Sequence, residues 1–273
     1  MTTPEAAAEG ARVAGDLSVR AVRDMLARTR CVVLDFDGPV ARLFAGGPSQ
    51  ESVAGRIAED LLDIAKCHGL DLAAVWGCRD PHEIFSAYVR AAADRGNCEA
   101  WLAVVGEMQS ALTAWELKSA EHAEPTPGAV DFIRAWSELG LRRGAGASVA
   151  GHCLAVASNN HYEAIRRYLE RESLWRYFTG PVLGRCEAEA ARMKPNPWIL
   201  HEVMRASGAE ASAHLMIGDS VSDRVTARRA GMPFLGYHRK PEKRQMLSAP
   251  GADEAPSPVI ATMQVLADAA AVL

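Results

Sequence analysis

Long hydrophobic runs are missing from this sequence. In 273 residues no stretch approaches the roughly 18 consecutive apolar residues needed to span a bilayer. The opening segment MTTPEAAAEGARVAGDLSVR carries acids and has no apolar run ahead of a cleavage site, so it does not read as a secretory signal, and a cytoplasmic protein is expected. Paired cysteines are missing as well. Cys31, Cys67, Cys78, Cys98, Cys153 and Cys186 are scattered without a C-x-x-C pair, which speaks against a zinc site and a disulfide framework and leaves reduced, mostly buried thiols as the expectation. Nor is there an excess of one charge. The net charge of -4 gives no electrostatic reason to bind nucleic acid or an anionic membrane, so the expected partner is a small molecule or another protein, with the oligomeric state left open. Internal repeats and extended low-complexity tracts are absent from the sequence too.

What remains is an ordinary globular composition, 49% hydrophobic and 23% charged, in a chain long enough for one large domain or a core with a smaller companion. Residues 1–16 lack a core-facing stripe and read as a mobile tail; a short helix with Val19, Val22 and Leu26 on one side follows. Cys31 to Leu34 form a continuous apolar run, as in strands buried on both faces of a parallel sheet. Similar runs recur at 152–158, 180–184, 214–218 and 232–236. Between them the period becomes helical, as in Phe132, Ile133, Trp136 and Leu139, or Ile199, Leu200, Val203 and Met204. This alternation predicts an α/β fold with a doubly wound parallel sheet. More than a hundred residues separate the first two strands, far beyond a crossover of a dozen or so, so something is inserted there. Residues 46–122 carry only helical stripes: Val53, Ile57, Leu61 and Ile64; Ile84, Tyr88 and Ala92; Trp101, Val104, Met108, Leu112 and Trp115. They are bounded by the hinge-like GGPS and EPTPG. The expectation is a helical cap of about four helices at 46–122 on a core made of 17–45 and 123–273, with 142–151 as a surface loop.

The first strand ends on two acids. In an extended chain residues i and i+2 share a side, so Asp35 and Asp37 face one way at the carboxyl edge, where open α/β sheets bind ligands. In HLMIGDSVSDRVTARRAG, Asp219 closes another apolar run and Asp223 follows one helical turn later. Either acid alone is accounted for by turn or helix capping. Gathered at one edge, like charges about 4 Å apart repel by roughly 4 kcal/mol per pair at a dielectric of 20, and such a cluster requires a cation. Hard oxygen donors and few of them suit Mg2+. LAVASNN ends on Ser158, Asn159 and Asn160, and the helix expected next could present N–H groups to an anion. RMKPNPW offers Lys194, fixed by Pro195 and Pro197.

In chain order, DFDG, SNN, KPNP and GDSVSD resemble the four motifs of the haloacid dehalogenase superfamily, in its phosphatase-like members with a helical cap after the first motif; the likeness covers about residues 31 to 237. The resemblance implies a Mg2+-dependent phosphatase acting on a small phosphorylated metabolite. By it, Asp35 is the nucleophile and Asp37 the general acid and base. Asp35, the main-chain carbonyl of Asp37 and Asp219 hold Mg2+, while Asp223 supports the metal through water or orients the lysine. Ser158 and Asn159 bind phosphoryl oxygens, and Lys194 neutralises charge on nucleophile and phosphate. Departures are Pro39 and the lack of an Asp-Ser or Asp-Thr pair after DGPVARLF, which weaken any carry-over of substrate from phosphoglycolate phosphatase and β-phosphoglucomutase relatives. Asp37 argues against a dehalogenase, which has no leaving oxygen to protonate. A phosphomutase ranks below hydrolysis because no histidine lies between Asp37 and His68. A non-catalytic binding protein is the reading from another class. In the cap, Arg42, Arg79, His82, Arg90 and Lys118 are candidates for substrate contact, with a solvated surface charge as the default for each.

Overall fold

The computed structural model describes residues 17–44, 53–142, 152–185, 187–250 and 255–273. The expected N-terminal tail, the GGPS segment, nearly all of the 142–151 loop and Cys186 lie outside them. In chain order the elements are α1 (Val19–Leu26), β1 (Cys31–Leu34), β2 (Ala41–Arg42), α2 (Val53–Cys67), α3 (Pro81–Asp94), α4 (Glu99–Ala120), β3 (Glu124–Pro125), α5 (Ala129–Arg142), β4 (Cys153–His161), α6 (Tyr162–Arg171), β5 (Val182–Arg185), α7 (Trp198–Ser207), β6 (His214–Gly218), α8 (Val221–Arg229), β7 (Phe234–Tyr237), α9 (Pro241–Ser248), β8 (Val259–Ile260) and α10 (Gln264–Ala271).

Six strands form one sheet in the order β5-β4-β1-β6-β7-β8, parallel throughout. β1 sits inside it and is buried on both faces, which is why its sequence is an uninterrupted apolar run rather than an alternation. The strand's two-residue period still sorts its side chains. Val32 and Leu34 join the core against α1, α5 and α10, while Cys31 and Val33 join a smaller core with Ile199, Leu200 and Val203 of α7. The molecule is therefore helix, sheet and helix in three layers.

The segment between β2 and β3 is helical throughout its described part, but contains three α-helices and a 3-10 turn at Ala73–Val75 rather than four helices. β2 and β3 pair antiparallel, Ala41 with Pro125 and Arg42 with Glu124, so the chain leaves and re-enters the sheet layer through a two-stranded neck. Arg42 also pairs with Glu124 through its side chain, leaving its Nε buried and unpartnered.

The cysteine expectation is corrected. Parallel pairing sets Cys31 directly beside Cys153, and the two form a disulfide across a separation of 122 residues. Of the others described, Cys67 and Cys98 are exposed and Cys78 half-buried, because they sit at helix ends and in a loop rather than on core-facing stripes. No helix among the described residues is long and apolar enough to cross a membrane.

Candidate active site

The turn after β1 is tight. Val40 and Ala41 N–H both donate to the Phe36 carbonyl, and Gly38 N–H donates to the Ala41 carbonyl. Gly38 sits at φ 101°, in the left-handed region that favours glycine, and a side chain there would collide with the Asp219 carboxylate. That close approach lets the β1 turn and the end of β6 share one site. Thr126 Oγ1 donates to the Gly38 carbonyl at 2.5 Å, pinning the turn to the chain returning from the helical segment.

Asp35, Asp219 and Asp223 each bring a carboxylate oxygen within 4.8 Å of the others. Lys194, 3% exposed, lies between two of them, with Nζ 2.9 Å from Asp35 Oδ1 and 2.5 Å from Asp223 Oδ1; it also donates to the Ala157 carbonyl at 3.0 Å. Burial opposes the ammonium's charge, yet Asp223 and Asp35 hold its pKa above the ordinary lysine value. The second oxygen of Asp223 accepts from Ser220 N–H at 3.0 Å and Ser220 Oγ at 2.6 Å, part of a capping box opening α8. Both oxygens of Asp223 are thus engaged, one by Lys194 and one by Ser220.

Asp219 has no such compensation. Burial, and then Asp35, Asp223 and Asp37, push its carboxyl well above the usual carboxylate range. A carboxylate crowded by other carboxylates at a half-buried strand end fits a divalent cation bound by hard oxygens, and Asp35, Asp219 and Asp223 are the carboxylates that could hold one, with the adjoining main chain of the β1 turn. Asp37 lies outside the three-carboxylate cluster as a side chain. Its Oδ1 accepts from Leu43 N–H at 2.8 Å. Burial pushes its carboxyl up to about 7, against the pull of that hydrogen bond and with Asp35 adding to the rise.

The SNN segment behaves differently from its sequence reading. β4 continues through it to His161, and the following helix starts only at Tyr162, capped by His161. The helix N-terminus is thus displaced from Ser158. Both polar atoms of Asn159 are engaged by the main chain of Lys194: Nδ2 donates to its carbonyl at 3.1 Å and Oδ1 accepts from its N–H at 2.8 Å. Asn159 clamps the lysine segment, keeps the second hydrogen of Nδ2 and lines the cavity. Ser158 Oγ donates to Asn160 Oδ1 at 2.9 Å and lines the cavity.

That cavity, about 810 Å³, lies between the strand ends and the inserted helices, with Asp35, Asp37, Ser158, Lys194 and Asp219 on one wall and residues of α3 on the other. Sequence reasoning missed Glu116 and Arg185, which brace the SNN segment from below. For Glu116 there was a signal: it occupies the next position of the apolar stripe Met108, Leu112, where a solvated charge does not belong. For Arg185 there was none.

The model of the haloacid dehalogenase-like hydrolases matches residues 29–231, well over half of the chain. The chain belongs to this family. Among curated members, a phosphoglycolate phosphatase of Mesorhizobium japonicum is 31% identical over 113 residues, 41% of this chain and 44% of that protein. Another, from Caulobacter vibrioides, is 30% identical over 161 residues, 56% and 62% of the two chains. The chain spans less than two thirds of the length of the curated relatives it matches. Among solved structures, a predicted phosphoglycolate phosphatase from Haemophilus somnus superposes with a TM-score of 0.51 at 15% identity, covering 87% of this chain and 96% of that one, a likeness of fold. This haloacid dehalogenase-like chain presents Asp35 and Asp219 just past the ends of β1 and β6, at the carboxyl edge of the sheet.

Proposed function

We propose that the protein is a phosphatase that hydrolyses a small-molecule phosphate monoester through an aspartyl-phosphate on Asp35. The observation that carries this reading is the buried Lys194 bridging Asp35 and Asp223 beside Asp219 at the floor of the cavity. The phosphatase names of the curated relatives favour the same reading.

Asp35 Oδ1 is tied by Phe36 N–H at 2.7 Å and by Lys194, which leaves Oδ2 as the attacking oxygen. As the new O–P bond forms and the ester P–O bond breaks, the departing oxygen takes a proton. Asp37 supplies it, since a carboxyl titrating near 7 holds a proton well above the range of an ordinary aspartic acid. In the second step the same carboxylate accepts a proton from water attacking the acyl phosphate. Lys194 offsets charge on Asp35 and the phosphoryl oxygens. Asn159 holds the main chain of Lys194 in place. Ser158 and Asn159 line the cavity beside Asp35 and Lys194, and the second Nδ2 hydrogen of Asn159 is the donor left for a phosphoryl oxygen. Mg2+, held by Asp35, Asp219 and the Asp37 carbonyl, would supply neutralising charge and alignment for the phosphoryl group.

The test is phosphate release from 4-nitrophenyl phosphate and a panel of metabolite esters in Mg2+. Asp35→Asn should abolish turnover while leaving the melting temperature within a few degrees, because it removes the nucleophile and keeps the shape. Wild-type protein that releases no phosphate from any ester, or an Asp35→Asn variant of undiminished rate, overturns the reading.

A further inference from the structure

Apart from the carboxylate cluster, the described residues hold a second buried set of charges, centred on Glu116 of α4, which is 0% exposed. Its Oε2 accepts from Arg185 Nη2 at 2.5 Å and from His161 N–H at 3.0 Å. Its Oε1 lies 3.4 Å from Asn160 Nδ2 and 2.8 Å from His82 Nε2. Arg185, on β5, donates onward to the Asn159 carbonyl at 3.2 Å and to Thr113 Oγ1 at 3.3 Å. Burial pushes the Glu116 carboxyl up, but Arg185 and His82 bring it below the usual carboxylate range, so it is ionised.

His82 is the member of this set that also reaches the cavity. It stands in the first turn of α3, whose N-terminus is capped by Asp80, with its ring tilted against Phe44 at 5.9 Å between centroids and its side chain 18% exposed. With Nε2 spent on Glu116, Nδ1 has no partner among the described residues and is the nitrogen left for a cavity occupant. The charged groups facing the ring are Glu116 from α4, Arg185 from β5, Asp80 from its own loop and Asp37 across the cavity. Burial opposes a charge on the ring, yet Glu116 holds its pKa above the ordinary imidazole value; with Nε2–H given to Glu116, the imidazolium form presents Nδ1–H as a donor. The same helix face continues with Ser86 and Arg90 and is preceded by Arg79, all lining the cavity at the spacing of one helical face. Ile84, Phe85 and Tyr88 turn inward to the core. Neither arginine has a carboxylate partner among the described residues.

We propose that His82 is a substrate-contacting residue that selects phosphate esters whose departing part carries an anionic oxygen, with Glu116 and Arg185 as its positioning residues. The proposal rests on the phosphatase reading and deepens it. With the ester phosphorus at Asp35, the Nδ1–H of His82 donates to a carboxylate or second phosphate on the rest of the molecule, and Arg79 and Arg90 add charge of the matching sign along the same wall. The cavity is large enough for such a substituent.

The experiment compares kcat/KM for 4-nitrophenyl phosphate, whose departing group has no anionic substituent, with the best of 2-phosphoglycolate, O-phosphoserine and fructose 1,6-bisphosphate. His82→Ala should lower the ratio of charged ester to aryl ester at least about tenfold, the scale of one charge-assisted hydrogen bond, chiefly through KM. His82→Gln, a neutral donor, is read by the same threshold should the alanine variant not fold. Glu116→Gln should shift the pH at which the preference disappears downward, because the imidazolium loses its partner; a merely structural glutamate would not move that midpoint. A ratio unchanged in the His82 variants, or a midpoint unmoved by Glu116→Gln, overturns the proposal and leaves the phosphatase reading standing. A wild type inactive on every ester overturns both.

Discussion

Lys194 is the residue on which the site's electrostatics turn. A lysine followed by Pro195 and Pro197 and buried between two carboxylates has no solvent to share its charge with, so its effect on the reacting oxygens is undiluted. Lys194→Met should lower kcat on 4-nitrophenyl phosphate about 10²- to 10³-fold, the range of one preorganised charge-stabilising donor; an unchanged kcat would reduce the lysine to a strut for Asp223. Asp37 and Asp219 set a second expectation. Both have folded pKa values raised above those of the unfolded chain, Asp37 from 3.8 to about 7. The native state therefore keeps protons that the unfolded chain gives up. Metal-free protein should lose stability as pH rises from about 4 through about 7, and Mg2+ should raise the melting temperature more at pH 8 than at pH 5, where it must displace those protons. An equal Mg2+ effect at both pH values would count against the carboxylate cluster as a cation site.

At the scale of elements, the long helix α4 belongs as much to the sheet as to the inserted helices. Its Glu116 is fastened to β5 through Arg185 and to the end of β4 through Asn160 and His161, and its C-terminal carbonyls, Ala120 among them, accept from Arg171 of α6. A swing of the whole insert about the β2–β3 neck would have to pull an ionised carboxylate out of its buried partners. Motion over the cavity is opposed further, since α3 is tied to the same carboxylate through His82. Removing one member of a buried ion pair costs about 3–5 kcal/mol, so Arg185→Ala should lower the unfolding free energy from urea titration by that much, shifting the midpoint down, and Arg185→Met with Glu116→Leu should recover part of it. A single variant with an unaltered midpoint would show that the pair is dispensable to the docking of α4.

For the molecule as a whole, the bond between Cys31 and Cys153 joins two neighbouring strands at the edge opposite the site, since β1 and β4 run parallel and end on Asp35 and beyond Ser158. It closes a loop that contains the entire helical insert. In the chain-entropy account a loop of this length confers about 5 kcal/mol. Reductant should therefore lower the denaturation midpoint markedly, and alkylation of the unfolded, unreduced protein should leave Cys31 and Cys153 unmodified. Modification of either cysteine under those conditions would remove the cross-link from the description.

The local sequence determined the strands and acids of the core because their signals are local. An apolar run buried on both faces, a carboxylate at i and i+2, and a glycine at the turn are written within a few residues, and β6 falls at His214–Gly218, the span its apolar run marks. The helical insert was legible for the same reason, as stripes at 3.6-residue spacing. What tertiary structure decided are relations between distant segments. The pairing of Cys31 with Cys153 follows from strand register. Asn159 turns to the lysine segment because β4 runs on past Ser158 and carries the helix start away. The links from Glu116 to Arg185 and His82 join three elements whose sequences do not refer to one another. Local pattern fixes which face a residue presents; only the packing of elements settles what that face meets, and in this protein the wall facing the carboxylates was settled there.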